Sequence, residues 1–119
     1  MKVIHIGVSD IIGGASKAAY SLHKALNNAG LNSSMLVQKK ISSDNTVIPF
    51  VDSSLKEIKY KRRFLLDYLF IQSLTIKERG RFSFPYWGVD IAGHPLVNKA
   101  DILHLHWVNQ GYFSFKTFL

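Results

Sequence analysis

The chain contains no cysteine among its 119 residues. This absence excludes disulfide frameworks, thiolate metal sites and a cysteine nucleophile, and it is typical of proteins from a reducing compartment. Long apolar runs are also absent. The run that begins at Met1 is too short for a signal peptide, and no later run reaches the length of a membrane span. The sequence therefore predicts a cytoplasmic protein.

Acidic residues are scarce: 8 Asp and Glu stand against 15 Lys and Arg, which gives a net charge of +7. An excess of this size favours polyanionic partners, namely nucleotides, nucleic acid or an anionic membrane surface. Basic residues are concentrated in the middle of the chain, at Lys56, Lys59, Lys61, Arg62, Arg63, Lys77, Arg79 and Arg81. With 47% hydrophobic and 19% charged residues, the composition is that of one small globular domain.

Two common phosphate-binding motifs are missing. Gly7 is followed by Val8 and Ser9, which breaks the spacing G-x-G-x-x-G, and the chain has no Gly-Lys-Ser/Thr of a P-loop. Gly13 and Gly14 remain, directly before a helical pattern. Unpaired backbone N–H groups at a helix N-terminus favour an anion, and the missing side chains permit close approach. The alternative is that the two glycines only let the helix pack against a sheet.

Hydrophobic periodicity predicts four strands and two helices. The strands are Lys2 to Gly7, Ser34 to Val37, Thr46 to Val51 and Asp101 to Trp107. Pro49 is expected to confine the third strand to a sheet edge, because proline cannot donate to the ladder. The first helix runs from about Gly14 to a stop at Gly30, and its packed face is predicted to hold Ala15, Ala18, Ala19, Leu22, Leu26 and Ala29. The second helix covers about Ser54 to Ser73, and Arg79 to Lys99 is predicted to be a long loop.

Strands separated by helical patterns imply right-handed crossovers and a largely parallel sheet. The predicted fold class is therefore α/β, with ligands bound where the strands end at their carboxyl termini. Two loops then become the candidates for a binding site, one after Gly7 and one after His106.

The five histidines fall into three groups. His104 and His106 alternate along the last predicted strand, so both imidazoles face one side of the sheet. His104 is predicted to be a hydrogen-bonded core residue near His5 of the first strand, whereas His106 lies at the end that faces the ligand crevice. A His-x-His pair is able to bind metal, but no third ligand has a suitable spacing, so no metal is expected. His23, as an exposed helix residue, and His94, as a loop residue, receive no role.

The predicted second helix interleaves basic and large apolar residues. Its basic residues are Lys56, Lys59, Lys61, Arg62 and Arg63. Such a helix is able to lie on an anionic bilayer with its apolar side down. A solvated helix face has the same composition, and the sequence does not distinguish between the two.

Several segments together resemble one enzyme family. The residues that carry the resemblance are Lys2 to Ile6, Ser9-Asp10, Gly13 to Tyr20, Leu22-His23, Leu26, Ser34 to Val37, Ala100 to Asn109 and Gly111 to Ser114. In these segments the chain resembles the N-terminal part of group 1, family 4-like glycosyltransferases of the GT-B type. Relatives in capsule and colanic acid synthesis look most similar. Lys17 departs from the family pattern, which has Arg there, and so does Ile12, where a small residue is common.

The resemblance implies a Rossmann-like domain that faces a second such domain across a cleft. These enzymes transfer a sugar from a nucleotide-sugar donor to a saccharide or lipid-linked acceptor, with no bound metal and no cofactor. By resemblance, His106 would be the catalytic residue that contacts the reacting sugars. The substrate-binding residues would be Gly13, Gly14, Ser9, Asp10 and Asn109.

The family's donor-binding half would lie beyond Leu119. Residues 1–119 are therefore expected to be a truncated N-terminal domain that is inactive alone and works at the inner face of the membrane, without nucleic acid as a partner. The alternative is a non-enzymatic basic module that binds RNA or a membrane. In that module phosphate contacts would be supplemented by aromatic stacking from Phe82, Phe84, Tyr86 and Trp87.

Overall fold

The computed structural model describes residues 1–50, 54–73, 88–106 and 114 of the 119-residue chain. Within these ranges the elements, in chain order, are β1 (Lys2–Ser9), α1 (Gly14–Asn28), β2 (Asn32–Lys39), β3 (Val47–Pro49), α2 (Ser54–Ser73), α3 (Pro95–Asn98) and β4 (Ile102–Leu105). The chain divides into two compact units. The first contains Met1–Asp52 and Gly93–Val108, and the second contains Ser53–Ala92 and Asn109–Leu119.

The four strands form one sheet in the order β3-β2-β1-β4, and every pairing is parallel. This arrangement confirms the predicted α/β class and matches a Rossmann-like sheet. It also confirms that the strand containing Pro49 lies at a sheet edge, where its missing N–H costs least. The order brings the first and last strands together, although 100 residues of chain separate their starts. Consequently the carboxyl ends of β1 and β4 are neighbours.

The core lies around the two central strands. Ile4 and Ile6 of β1 and Leu36 of β2 are fully buried, as is expected of strands covered on both faces. On one face Ala19 of α1 packs with residues of β2 and β3, namely Met35, Val37 and Val47, and Tyr20 covers this cluster. The helix ends as predicted: Gly30 takes a φ of +80°, and its N–H donates to the carbonyl of Asn27.

The face of α1 that meets the sheet differs from the prediction. Only Ala19 and His23 of this helix are buried, and most of the alanines expected on the packed face are exposed. Leu22 is 39% exposed. The prediction that His23 is exposed is therefore wrong. The prediction followed the apolar residues of α1 and therefore placed the packed face about one residue away from its observed position. Polar side chains make up much of the observed packed face, and apolar spacing does not detect them.

His23 is buried because the sheet supplies partners for both of its ring nitrogens. Its Nδ1 lies 2.8 Å from Ser33 Oγ, and its Nε2 lies 2.8 Å from Thr46 Oγ1. Asn27, one turn further along α1, accepts from the backbone N–H of Ser33 at 3.0 Å and donates to its carbonyl at 3.1 Å. Burial lowers the pKa of His23, so the imidazole is held neutral between α1, β2 and the start of β3.

The second unit contains α2, which confirms the predicted helix. Arg63 Nη1 donates to the carbonyl of Gly88 at 3.4 Å, and the Ser114 N–H donates to the carbonyl of Val89 at 3.1 Å. None of the helices described is long and apolar enough to cross a membrane.

The predicted long loop is described only from residue 88 onward, and there it contains the short helix α3, which the sequence analysis missed.

Candidate functional site

His106, the residue after β4, lies beside the carboxyl-terminal part of β1. The pairing runs from Val3 and Ile102 to Ile6 and Leu105, and the His106 N–H extends the ladder by donating to the Ile6 carbonyl at 2.8 Å. A Cβ placed on Gly7 would lie 3.4 Å from the His106 carbonyl oxygen. The chain after β4 therefore passes directly against the end of β1. Ligands of open parallel sheets bind at such carboxyl ends.

The glycine turn, Gly13 and Gly14, lies between β1 and α1. Gly13 precedes the helix with a φ of +85°, a value that side chains disfavour, and its carbonyl accepts from the Lys17 N–H at 3.1 Å. The N–H groups of the first helical turn have no carbonyl partner within α1. A Cβ on either glycine would meet no atom of the described residues within 4 Å. Close packing of the helix on the sheet therefore does not explain the two glycines, and the space above them is open.

Ser9 and Asp10 hold the loop that leads to the glycine turn. The buried Asp10 carboxylate accepts from the N–H groups of Ile11 at 3.0 Å, Ile41 at 3.1 Å and Ser42 at 2.8 Å. Burial alone would raise the pKa of Asp10, but the donors of Ser42 and Ile41 outweigh it and lower the pKa overall.

Ser9 stabilises the same loop, because its Oγ accepts a hydrogen bond from the Ile12 N–H at 3.2 Å. The geometry thus gives Ser9 and Asp10 a positioning task beside the glycine turn, and contact with substrate stays a prediction for both. The third residue predicted to bind substrate with them, Asn109, lies outside the described residues.

Three imidazoles lie together on the face of the sheet that α1 covers. His5 is fully buried, is in register with His104 and has its Nδ1 3.0 Å from His106 Nε2. The ring centroids of His104 and His106 are 4.0 Å apart, and His5 lies 5.3 and 5.2 Å from them. The predictions that His104 and His106 face one side and that His5 adjoins His104 are confirmed. His5 also supplies the third imidazole that spacing along the chain did not reveal.

Protonation is disfavoured at His5 and at His106. Burial, followed by the positive charge that His106, His104 and His23 would carry, lowers the pKa of His5 to about 4. Burial and the neighbouring His104 also lower the pKa of His106. With this lowered pKa His106 is a neutral imidazole at pH 7, in which one ring nitrogen donates a hydrogen bond and the other accepts one.

The structure contradicts the predicted burial of His104. Its side chain is exposed and makes no hydrogen bond with any residue that the structure describes, whereas His106 is half-buried and bonded to His5. The reason lies in the topology: β4 is an edge strand, and α1 packs mainly over β2 and β1. The middle of β4 is therefore open on the face where a core position was expected, and His104 is not a core residue.

His94 also has a structural task that the sequence analysis did not assign. It precedes α3, and its Nδ1 accepts from the Leu96 N–H at 3.2 Å, as an N-cap residue does. Pro95 follows at the first helical position, where a missing N–H costs nothing. The pair His94-Pro95 was the available signal for this short helix.

Helix α2 presents both basic and apolar side chains to solvent. Among those whose side chains are described, Lys59, Lys61 and Arg62 are exposed, and Lys61 pairs with Glu57 at 3.0 Å. The large apolar residues of this helix that are 37–64% exposed are Ile58, Phe64, Leu65, Leu66, Tyr68, Leu69 and Phe70. The Lys56 side chain lies outside the described part. So do Phe82, Phe84, Tyr86 and Trp87, the aromatics of the nucleic-acid alternative.

The chain matches no protein-family model, no curated protein and no solved structure. Its function is therefore inferred from the residues themselves and from the geometry of the sheet that carries them.

Proposed function

We propose that this domain is the acceptor-side, N-terminal domain of a glycosyltransferase that uses a nucleotide-sugar donor. The observation that supports the proposal is that the glycine turn follows β1 and His106 follows β4, and that these two strands are adjacent and parallel. An open α/β sheet binds its ligands at the carboxyl ends of its strands. The resemblance of several segments within residues 2–37, and of residues 100–109 and 111–114, to group 1, family 4-like enzymes of the GT-B type adds the chemical class.

In the proposed reaction the bond between the donor sugar and its diphosphate breaks, and its electron pair leaves with the diphosphate. The acceptor hydroxyl oxygen forms the new glycosidic bond and gives its proton to the leaving diphosphate. Negative charge grows on the leaving diphosphate. The unpaired N–H groups at the glycine turn are suited to stabilise that charge, because backbone donors at a helix N-terminus are fixed before the reaction begins. The second wall of the cleft, with the donor nucleotide, belongs to a donor-binding domain.

His106 has the chemistry of a residue that orients a sugar. Its Nε2 lies 3.0 Å from Nδ1 of the buried His5, which fixes the ring, and its Nδ1 makes no hydrogen bond with the described residues. A neutral imidazole with one nitrogen to spare is able to bond a sugar hydroxyl as charge develops. We assign the reacting sugar, rather than the phosphate, to this nitrogen.

Gly14→Val in the complete transferase tests the role of the glycine turn. A Cβ at Gly14 would meet no described atom within 4 Å, so we expect Val there to leave folding intact while it fills the space over the helix N-terminus. We expect transfer from UDP- and GDP-sugars to fall by about tenfold or more, the effect of losing one or two hydrogen bonds to the ligand. Steady-state kinetics and a melting curve measure the two effects separately.

Gly93→Val is the matched control, because Gly93 also has open space around a Cβ and lies away from the turn. The 119-residue chain alone is the negative control, since one wall of the cleft is expected to transfer no sugar. The proposal fails if Gly14→Val transfers sugar at the native rate, or if the 119-residue chain turns over without any donor-binding domain.

A second proposal concerns location: α2 holds the domain on an anionic membrane surface, where lipid-linked acceptors lie. The exposed apolar side chains of α2 and its neighbouring cations Lys59, Lys61 and Arg62 favour this surface. We expect the protein to sediment with vesicles that contain anionic lipid, and added salt to weaken this binding.

Changing Lys59, Lys61 and Arg62 together to Glu should abolish vesicle binding. The control changes three exposed lysines of the other unit, Lys17, Lys39 and Lys99, to Glu, which alters the net charge equally. Equal sedimentation with neutral and anionic vesicles at low ionic strength would rule out the membrane proposal. Strongly salt-dependent RNA binding that the same α2 substitutions remove would instead favour the nucleic-acid alternative.

A further inference from the structure

Three histidines that are distant in sequence converge where β1 and β4 end. One ring nitrogen from each of His5, His104 and His106 lies within 4.8 Å of the other two. Tetrahedral Zn–N bonds of about 2.0–2.1 Å separate two ligand nitrogens by about 3.3 Å. The His5 and His106 nitrogens are already 3.0 Å apart. Rotations of side chains, without movement of the strands, would therefore bring the three rings onto one ion.

We infer that His5, His104 and His106 form a binding site for a divalent transition-metal ion, with Zn²⁺ as the best match. Three imidazoles and no carboxylate make a donor set that suits Zn²⁺, Cu²⁺, Ni²⁺ or Co²⁺ and does not suit Mg²⁺ or Ca²⁺, which require oxygen ligands. Three protein ligands also leave a fourth tetrahedral position for water or an anion.

Among the described residues, no group outside this cluster forms a hydrogen bond with the ring nitrogens of the three histidines. His5 is fully buried, yet its Nε2 has no hydrogen-bond partner, an unusual condition for a buried polar atom. The His104 side chain makes no hydrogen bond with the described residues. The fourth imidazole nearby, His23, is by contrast fixed by Ser33 and Thr46. Among the described residues the facing nitrogens of His5 and His106 bond only to each other, so an ion that binds both rings replaces this one hydrogen bond.

The site is also rigid and accessible. His5 and His104 are held in register by the parallel pairing of β1 and β4, and the His106 N–H is bonded to the Ile6 carbonyl. Little ordering is therefore needed when the ion binds. The exposed His104 leaves one side open to solvent, so an ion is able to enter without unfolding of the sheet.

This inference goes beyond the proposed transferase function and does not depend on it. The two share His106, however. An ion on His106 would occupy the ring that we assign to the sugar, so metal binding and sugar binding would compete at this residue. Zn²⁺ is therefore an expected inhibitor of transfer rather than a participant in it.

Binding of Zn²⁺ and Co²⁺ to the metal-stripped, tag-free 119-residue protein tests the site directly. We expect one Zn²⁺ per chain by calorimetry, a rise in melting temperature with Zn²⁺, and the visible absorption of tetrahedral Co²⁺. His104→Ala should weaken Zn²⁺ binding by about 100-fold or more, since loss of even an outer-shell partner of a metal ligand costs 10–100-fold. Because His104 is exposed, this variant should keep the native fold.

His94→Asn is the matched control, because it removes an imidazole elsewhere and keeps a side chain that is able to cap α3. It should bind Zn²⁺ as the native protein does. Equal Zn²⁺ affinity in the native protein and His104→Ala, or no Zn²⁺-dependent rise in melting temperature of the native protein, would overturn the inference. None of these measurements involves sugar transfer, so failure of the metal site and failure of the transferase proposal are distinguishable.

Discussion

Replacing His106 with Ala is expected to lower the turnover of the proposed transferase by about 10²-fold or more, the scale of a lost transition-state hydrogen bond. The reason is the position of this ring at the carboxyl end of β4, with Nε2 bonded to His5 and Nδ1 free of described partners. If the bond to the sugar forms mainly in the transition state, kcat should fall and KM should change little. Steady-state kinetics with a saturating nucleotide-sugar donor measure this.

The same substitution should also lower stability. His5 is fully buried, and His106→Ala would remove the partner of its Nδ1 when its Nε2 already has none. Leaving a buried polar group unsatisfied costs about 1–3 kcal/mol. His106→Gln, which is able to keep a hydrogen bond to His5, should recover part of that stability but not the turnover. Urea unfolding of both variants separates the two effects.

His104→Ala is the matched control for His106→Ala. Its ring lies 4.0 Å from that of His106, centroid to centroid, yet it is exposed and makes no hydrogen bond with described residues. We expect near-native stability and turnover in a metal-free assay. Native turnover of His106→Ala would remove His106 from the proposed site while leaving the fold argument intact. A large loss of stability in His104→Ala would mean that this ring is buried in the intact protein.

Elements governed by local pattern were predictable from the sequence. The alternation of β-formers with helical spacing located all four strands and the long helices, because burial of apolar residues follows the period of each element. Pro49 correctly indicated an edge strand, since its missing N–H acts at the level of a single residue. Gly30 likewise indicated the end of α1. In each case one local physical requirement was sufficient.

The predictions that were wrong concern residues whose environment is set by partners far away in the sequence. His23 is buried because Ser33 and Thr46 meet its nitrogens, and nothing in the apolar spacing of α1 reports such partners. His104 is exposed because its strand is at a sheet edge that α1 covers little, a property of strand order and not of the strand itself. The contact of His5 with His104 and His106 likewise depends on how β1 and β4 pair. His5 and His106 are 101 positions apart in the sequence, so local spacing does not reveal this contact.

Replacing Asp10 with Ala is expected to destabilise the fold by about 3 kcal/mol or more, because three backbone N–H groups would lose their acceptor at about 1–3 kcal/mol each. Two of those groups, on Ile41 and Ser42, follow β2, and the third, on Ile11, belongs to the loop after β1. The carboxylate thus ties together the loops at the ends of the two central strands. Urea unfolding of Asp10→Ala measures the loss.

The contribution of Asp10 should also depend on pH, in a direction that its lowered pKa fixes. In the unfolded chain the pKa of Asp10 is near 3.8, and in the folded state it is lower. The folded state therefore binds a proton at Asp10 more weakly than the unfolded chain does. The stabilisation is complete above the pKa of the unfolded chain and is lost as the pH falls below it toward the lowered pKa of the folded state. Asp10→Asn should flatten this acid limb of the stability curve.

Asp101→Ala provides the control for an aspartate that accepts from backbone but is exposed. Asp101 accepts from the Lys2 N–H at 2.6 Å, and its side chain is 62% exposed, so water replaces it readily. We expect only a small loss of stability. If Asp10→Ala unfolded at the same urea concentration as Asp101→Ala, water would be satisfying the N–H groups of Ile41 and Ser42. The loop before the glycine turn would then be held by the strands alone.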